Sequence, residues 1–395
     1  MSGPLHGVRV IDLTSVAMGP YATQIMGDMG ADVIKIESKD GDVFRHVAPA
    51  RHAGMGAPFL NLNRNKRSVV LDLKSAPDAQ RLRDLVRHAD VFVSNVRPKS
   101  MARLGLDDAT LRALNPRLVY CAAVGFSEKG RYAGRPAFDD IIQAMSGLAA
   151  VQANPQTGHP AYVNTIVADK TAGLTAAYAV AMALYERERS GLGQAIEVPM
   201  FETLAAFTMV EHLAGHTFTP PEGPMGYERL LSSARRPYAT QDGFIALLPY
   251  TTAQWQRFFR LAGRPEVAED PRYMEPAQRS RNIHALYGML ADLVAQRSTA
   301  QWLTLLADAD IPHSRVLSME GVMADAHLRE SGLVQSHAHP SEGALQMLGI
   351  PTGFSRTPGS IRASAPALGQ HSLDDIAEEW RRESPRGALG AAPPG

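Results

Sequence analysis

Asp169 lies in Ile166-Val167-Ala168-Asp169-Lys170-Thr171-Ala172-Gly173, where an apolar stretch meets a long run of small residues. That run passes through Ala176, Ala177, Ala179, Ala181 and Ala183 and ends in Tyr185-Glu186-Arg187-Glu188-Arg189-Ser190-Gly191. The pattern predicts a helix with Asp169 at its N-terminus. Two readings of the residue follow. Asp is among the favoured N-caps, and a cap needs no further role. It is also a carboxylate with neighbours too small to block access, which suits a nucleophile. The readings are compatible, because a helix N-terminus favours the anion and would keep it ionised at neutral pH. A carboxylate is a weak nucleophile, but it can attack an activated acyl group such as a thioester.

Other residues define what could sit near such a nucleophile. Three basic clusters flank predicted strands: Asn63-Arg64-Asn65-Lys66-Arg67-Ser68, then Arg97-Pro98-Lys99 with Arg103, then Lys129-Gly130-Arg131-Tyr132-Ala133-Gly134-Arg135-Pro136. One such cluster is an ordinary solvated loop, whereas three around one sheet would form a groove for a ligand with several phosphates. The chain has no GxxxxGK[ST] and no strand-linked GxGxxG, so the usual nucleotide loops are missing. Gly-x-Ser-x-Gly is also missing, which weakens a serine hydrolase. His337-Ala338-His339 lacks a further ligand at a convincing spacing, so no metal is expected. Cys121 falls within an apolar strand and reads as a packed core residue.

These residues need a scaffold. Val8–Leu13, Asp32–Glu37, Ser68–Leu73, Asp90–Asn95 and Leu118–Val124 read as strands, with helices over Pro20–Met29, Ala76–His88 and Asp107–Leu114. Strands rich in β-branched residues and alternating with helices predict an open α/β fold with a parallel sheet. Ligands are then expected beyond the strands' C-terminal ends. After Pro220-Pro221-Glu222-Gly223-Pro224 the texture changes. A hairpin turning at Asp242-Gly243 is followed by helices over Thr252–Leu261, Ile283–Ala295 and Thr299–Ala307, with a last helix over Ser372–Trp380. The expected domains are a large one over 1–220 and a smaller α+β one over 225–325. The Pro-, Gly- and Ala-rich residues 384–395 are expected to be disordered.

With 45% hydrophobic residues the chain can fill a sizeable core. Forty basic residues balance forty acidic ones, which gives no electrostatic reason to expect nucleic acid or an anionic membrane as partner. A single cysteine excludes an internal disulfide and fits a reducing compartment. Residues Met1–Gly7 lack the features of a secretory leader, and no apolar stretch is long enough to span a bilayer. A cytoplasmic, soluble protein is expected.

Taken in order, the motifs resemble a known family over nearly the whole chain, to about residue 375. They begin with Leu5-x-Gly7-x-x-Val10-x-Asp12, Gly19-Pro20, Gly30-Ala31-Asp32-Val33-Ile34-Lys35-Ile36-Glu37 and Asn65-Lys66-Arg67-Ser68. Leu71-Asp72-Leu73-Lys74, Gln143-Ala144-Met145-Ser146-Gly147 and Ala168-Asp169 with Gly173 continue the series. Glu186-Arg187-x-x-Ser190-Gly191-x-Gly193-Gln194 and Leu368-Gly369-Gln370-His371 complete it. The chain resembles the class III coenzyme A transferases, the superfamily of formyl-CoA transferase, carnitine-CoA transferase and α-methylacyl-CoA racemase. The resemblance implies a Rossmann-like large domain built from both chain ends, so that residues 330–383 complete it. It also implies a homodimer whose subunits interlock like chain links. Asp169 takes the position of the transferase nucleophile. CoA, a substrate and not a resident cofactor, would contact Val16, Ala17, Met18, Leu71, Asp72, Leu73, Lys74, Asn95, Val96, Arg97 and Arg103. Lys129, Arg131 and Arg135 would lie near the pantetheine arm or the phosphates. Formyl-CoA transferase has an Arg where this chain has Ser38, and Arg45 is the candidate to replace it at adenine. The glycine-rich loop of formyl-CoA transferase has no clear counterpart near residues 225–260, which argues against formyl-CoA.

Racemisation needs two acid/base groups on opposite faces of the α-carbon. The racemases draw one from the His of a Gly-His-Asp segment. Here the matching segment is Ala137-Phe138-Asp139-Asp140, and Phe138 cannot move a proton. The expected activity is therefore transfer of CoA between an acyl-CoA and a small carboxylic acid. A racemase and a catalytically silent CoA-binding scaffold are the alternatives. Arg235 and Arg236 suggest a guanidinium for the second carboxylate of a succinyl-type donor, and an ordinary surface pair reads equally well.

Overall fold

The computed structural model describes residues 3–154 and 156–382; the tail expected to be disordered, 384–395, lies outside the described residues. Six strands form one wholly parallel sheet: β1 (Arg9–Leu13), β2 (Asp32–Glu37), β3 (Lys66–Val70), β4 (Val91–Ser94), β5 (Val119–Val124) and β6 (Ala195–Pro199). Their spatial order is β3-β2-β1-β4-β5-β6. The order reverses between β1 and β4, which opens a crevice at the strands' C-terminal ends.

Alternation along each strand sends side chains into two cores. Val10, Val33, Val91, Val93 and Cys121 face the helices Met18–Asp28 and Val167–Ser190. Ile11, Ile34, Ile36 and Phe92 face the helices Ala76–Val86, Pro98–Leu104, Asp108–Leu114 and Leu373–Arg382. The long helix buries Ala168, Ala172, Ala176, Val180 and Ala183 along one side. Gly173 allows it to approach the first helix closely: a Cβ there would stand 2.7 Å from the Met18 carbonyl oxygen.

The predicted helices and strands are present, with shifted ends. The third strand starts at Lys66, two residues before the expected Ser68, because Lys66 and Arg67 pair in register with Val33 and Ile34. Strand β6, at the sheet edge, was not anticipated. Its partly exposed Ala-Ile-Glu-Val-Pro sequence lacks the apolar continuity of the central strands.

Two compact units divide the chain. The first takes residues up to Gln152, Pro160–Thr208 and from Arg329 onward, and the second takes Ala153–His159 and Met209–Leu328. In the first, the returning C-terminal segment fastens onto β3 and its surroundings. Asn65 accepts the N–H groups of Arg362 and Ala363, His371 N–H reaches the Ser68 carbonyl, and Trp380 Nε1 donates to Asp32 at 2.7 Å. A hairpin of β10 (Val334–His339) and β11 (Gly343–Leu348) belongs to this unit, and His337 and His339 each have a protein partner at a ring nitrogen.

The second unit has a three-stranded antiparallel sheet of β7 (Tyr238–Ala239), β8 (Phe244–Leu247) and β9 (His313–Arg315). The expected hairpin is therefore present. Helices Thr252–Leu261 and Thr299–Asp308 start at capping boxes made by Thr251 with Gln254 and Ser298 with Gln301. Together with Ile283–Val294 they enclose Trp255, Phe258, Phe259, Tyr287 and Trp302.

Candidate active site

Asp169 is the third residue of its helix, which begins at Val167 after Ile166. It is half-buried and is not the cap. The capping group comes from another helix, Asp139–Met145. Asp139 Oδ1 accepts the N–H groups of Ala168 and Asp169 at 2.8 and 3.1 Å, while Oδ2 accepts Gln143 Nε2 at 2.6 Å. Gln143 Oε1 in turn accepts Val163 N–H at 2.9 Å, tying down the segment that enters the helix. Sequence reasoning gave neither residue a role. The signal available was an Asp and a Gln four residues apart on one helix face.

The expected electrostatics of Asp169 are reversed. Burial pushes its pKa up from 3.8 to about 6, the Asp139 charge adds to the rise, and a hydrogen bond from Met18 N–H opposes it. The cap was expected to lower it, but the helix amides that would do so are already taken by Asp139. The carboxyl is still about nine-tenths ionised at pH 7. A more basic carboxylate is also the better nucleophile.

Met18 is the first residue of the first helix, directly after the turn that leaves β1, beside the switch in strand order. Asn95, after β4, spans that switch: its Oδ1 accepts Ser15 N–H at 3.1 Å and its Nδ2 donates to the Ser15 carbonyl at 2.8 Å. Those bonds engage the Asn95 side-chain amide with protein. The Ala17 and Met18 side chains are buried, so this turn can offer a ligand mainly its backbone. Nearby, Leu71, Asp72, Leu73, Lys74 and Arg103 line a cavity of about 500 Å³ with Leu13, Ile36 and Ser38. It opens past the ends of β1, β2 and β3, where an α/β fold binds its ligand. Arg103 and Lys74 supply its positive charge.

Other expected site residues lie elsewhere. Arg45 cannot serve adenine, because its side chain is buried and fully engaged. Its Nε and Nη2 bind Glu37 at 2.8 and 2.6 Å, Nη1 reaches the Pro366 carbonyl at 3.1 Å, and the guanidinium stacks 3.7 Å over Phe59. The Asn63–Ser68 cluster is not a phosphate groove either. Arg64 pairs with Asp28, Lys66 with Asp12 and Arg67 with Asp32 and Glu379. Lys129, Arg131 and Arg135 are exposed in the loop after β5, and Val96 and Arg97 precede the Pro98–Leu104 helix. Cys121 is inert in the core, its thiol pushed up to about 12 by burial. In the second unit Arg235 and Arg236 are exposed. A cavity of about 520 Å³ in that unit is lined by Arg229, Arg279, Tyr250 and Tyr287 and by neither of these two.

Comparison with known proteins agrees with this geometry. The model of CoA-transferase family III matches residues 5–372. The succinyl-CoA:glutarate CoA-transferase of Mus musculus is 30% identical, covering 96% of this chain and 87% of the relative. The formyl-CoA:oxalate CoA-transferase of Streptomyces avermitilis is also 30% identical, over 95% of each chain. Among solved structures, a CAIB/BAIF family protein from Brucella suis superposes with a TM-score of 0.81 at 28% identity, covering 96% of this chain and all of that one. No helix among the described residues is long and apolar enough to cross a membrane. The chain belongs to the family III CoA-transferases and is an enzyme that uses CoA thioesters as substrates.

Proposed function

We propose that this enzyme moves CoA from an acyl-CoA to a free carboxylic acid through intermediates on Asp169. One Asp169 oxygen attacks the thioester carbonyl; the C–S bond breaks, leaving a mixed anhydride and a CoA thiolate. The thiolate attacks the aspartyl carbonyl of the anhydride, which releases the donor acid and leaves an aspartyl-CoA thioester. The acceptor carboxylate then attacks that aspartyl carbonyl and frees the thiolate. The thiolate attacks the acceptor's carbonyl, giving the new acyl-CoA and restoring Asp169. A thioester is exchanged for a thioester, so no ATP is needed.

The observation that carries this reading is a half-buried carboxylate with a raised pKa, still ionised at neutral pH, whose anion the Met18 N–H favours. That N–H would face the aspartyl oxygen as it gains charge in the two tetrahedral intermediates formed at the aspartyl carbonyl, when the thiolate attacks the anhydride and when the acceptor attacks the aspartyl thioester. The CoA moiety would occupy the switch-point cavity, with Leu71–Lys74 and Arg103 around it, the backbone of Val16–Met18 and Asn95–Arg97 at its edge, and Lys129, Arg131 and Arg135 near its outer part. Phe138, exposed beside Asp139, offers no second proton carrier and so disfavours racemisation. A dicarboxylic, succinyl-type donor fits the relatives named for succinyl-CoA and glutarate.

A second copy of the chain completes the proposal. Leu174, Tyr178, Met182 and Tyr185 form a stripe on the Val167–Ser190 helix and are 49, 53, 65 and 70% exposed. Such a stripe on the active-site helix fits burial in an interlocked homodimer. The single, buried Cys121 fits a cytoplasmic location.

The test mixes an acyl-CoA with a labelled free acid. Label entering the thioester supports transfer, whereas loss of α-chirality without exchange supports racemisation. Full transferase activity in Asp169→Ala would refute the mechanism.

A further inference from the structure

The turn that follows β1 lacks phosphate-loop glycines, and side chains hold its backbone in their place. Thr14 N–H donates to Asp12 Oδ1 at 3.0 Å, and the Thr14 carbonyl accepts Lys35 Nζ at 2.8 Å. The Ser15 peptide groups are held by Asn95. Val16 N–H donates to Asp42 Oδ1 at 3.1 Å. The other Asp42 oxygen pairs with Lys35 at 2.9 Å, and both side chains are fully buried.

Val16 is the unusual member of this set. Its φ is +71°, in the left-handed region where a β-branched residue is a genuine outlier. Such a conformation persists only where the surroundings impose it. Two residues later, Met18 packs on the Asp169 helix: its carbonyl oxygen would stand 2.7 Å from a Cβ at Gly173, one turn on from Asp169, and its N–H favours the Asp169 anion. The conformation of Val16 thus sets the direction in which the first amides of the helix point.

We propose that Asp42 is a positioning residue for the nucleophile: backed by Lys35, it holds Val16 left-handed so that Met18 N–H is delivered to Asp169. This inference rests on the reading of Asp169 as nucleophile. The Asp42 side chain is fully buried, so its part in the reaction would run through Val16 and not through contact with substrate. Its effect is expected on kcat more than on KM, because the Met18 bond strengthens when the carbonyl oxygen of the aspartyl anhydride or aspartyl thioester gains charge on attack. Asp42 also accepts Phe44 N–H in the Val43–His46 turn, so a merely structural role must be separated from the positioning one.

Glycine adopts a positive φ without strain, and this supplies the separation. Asp42→Ala, Asp42→Asn and Asp42→Ala/Val16→Gly are compared in the full chain, with folding checked by near-UV circular dichroism. Asp42→Ala is expected to lower kcat by about 20-fold or more with KM changing less than about threefold. Asp42→Asn keeps an acceptor for Val16 N–H and should lose less. Adding Val16→Gly to Asp42→Ala should recover at least about fivefold of the lost kcat. In Asp42→Ala the acid limb of kcat/KM should move to higher pH, because the N–H that favours the Asp169 anion is displaced, and it should return in the double variant. If Asp42→Ala does not fold, Asp42→Ser with and without Val16→Gly carries the same comparison. Full kcat in Asp42→Ala, equal losses for Ala and Asn, or a loss that Val16→Gly leaves untouched would each overturn the proposal. Activity surviving in Asp169→Ala would instead remove the nucleophile, and the positioning role with it. An inactive Asp169→Ala beside a fully active Asp42→Ala removes the positioning role alone.

Discussion

Asp139 accepts the backbone N–H of Asp169 at 3.1 Å, so one carboxylate caps the helix on which the other is displayed. The arrangement divides between two residues what a single capping Asp would do alone. The amides that would have held Asp169 at low pKa are consumed by Asp139, whose charge also raises it. Asp169 is left more basic and with its oxygens available.

The first prediction is a pH profile. With the Asp169 pKa raised to about 6, kcat/KM should be level near pH 7.5 and fall about tenfold per unit well below 6. The stability sign is the reverse of the usual salt-bridged carboxylate. The folded state binds the proton more tightly than the unfolded chain, so Asp169 stabilises the fold below about pH 4 relative to neutral pH, and that contribution is lost as pH rises through about 6. Asp169→Asn should therefore raise stability at pH 7.5 by about 1–3 kcal/mol, discounted for partial exposure, with the gain gone at pH 4. Thermal melts at the two pH values check this, and a loss of stability at pH 7.5 would contradict it.

Asp139 gives a second, separable expectation. Asp139→Asn retains an acceptor for the two amides but loses the charge. The Asp169 pKa should fall, and the acid limb of kcat/KM should move to lower pH without returning to the ordinary Asp value, since burial is the larger cause. Asp139→Ala should in addition cost about 1–2 kcal/mol in urea unfolding, the usual effect of a lost cap. Equal stability for the two variants would mean that the cap contributes nothing.

How far this was legible in the sequence follows from the range of the interactions. The first five strands were legible because β-branched runs declare themselves locally, unlike the partly exposed edge strand β6, and the Val167–Ser190 helix because small residues recur at helical spacing. The partner of Asp169 was not, because Asp139 lies thirty residues away and only folding brings it to the helix end. Arg45 and the Asn63–Ser68 cluster misled for a related reason. A cationic run looks the same in sequence whether it meets a ligand's phosphates or, as here, buried Asp12, Asp28 and Glu37.

That contrast makes a third prediction. Lys74→Ala and Arg103→Ala should each raise KM for acyl-CoA by about 10–100-fold, the range for a charged hydrogen bond, with stability nearly unchanged. Arg45→Ala should instead destabilise the fold by about 3–5 kcal/mol, because Glu37 is left as an uncompensated buried charge. Isothermal titration with CoA and urea unfolding separate the cases. Tight CoA binding by both cavity variants would exclude the cavity as the CoA site.

The last prediction concerns the exposed stripe. Met182 and Tyr185 stand one turn apart near the C-terminal end of the helix that begins beside Asp169, and both are largely exposed. In a homodimer they would be buried, and a charge at either would be stranded against apolar surface. Met182→Asp and Tyr185→Glu should therefore shift the protein from dimer to monomer in analytical ultracentrifugation. In a monomer the same changes would be nearly neutral surface substitutions, within about 0.5 kcal/mol. The stripe shares its helix with Asp169, so a lost dimer should also lower transferase activity. A wild-type protein that sediments as a monomer at micromolar concentration would end the dimer reading, whatever the variants do.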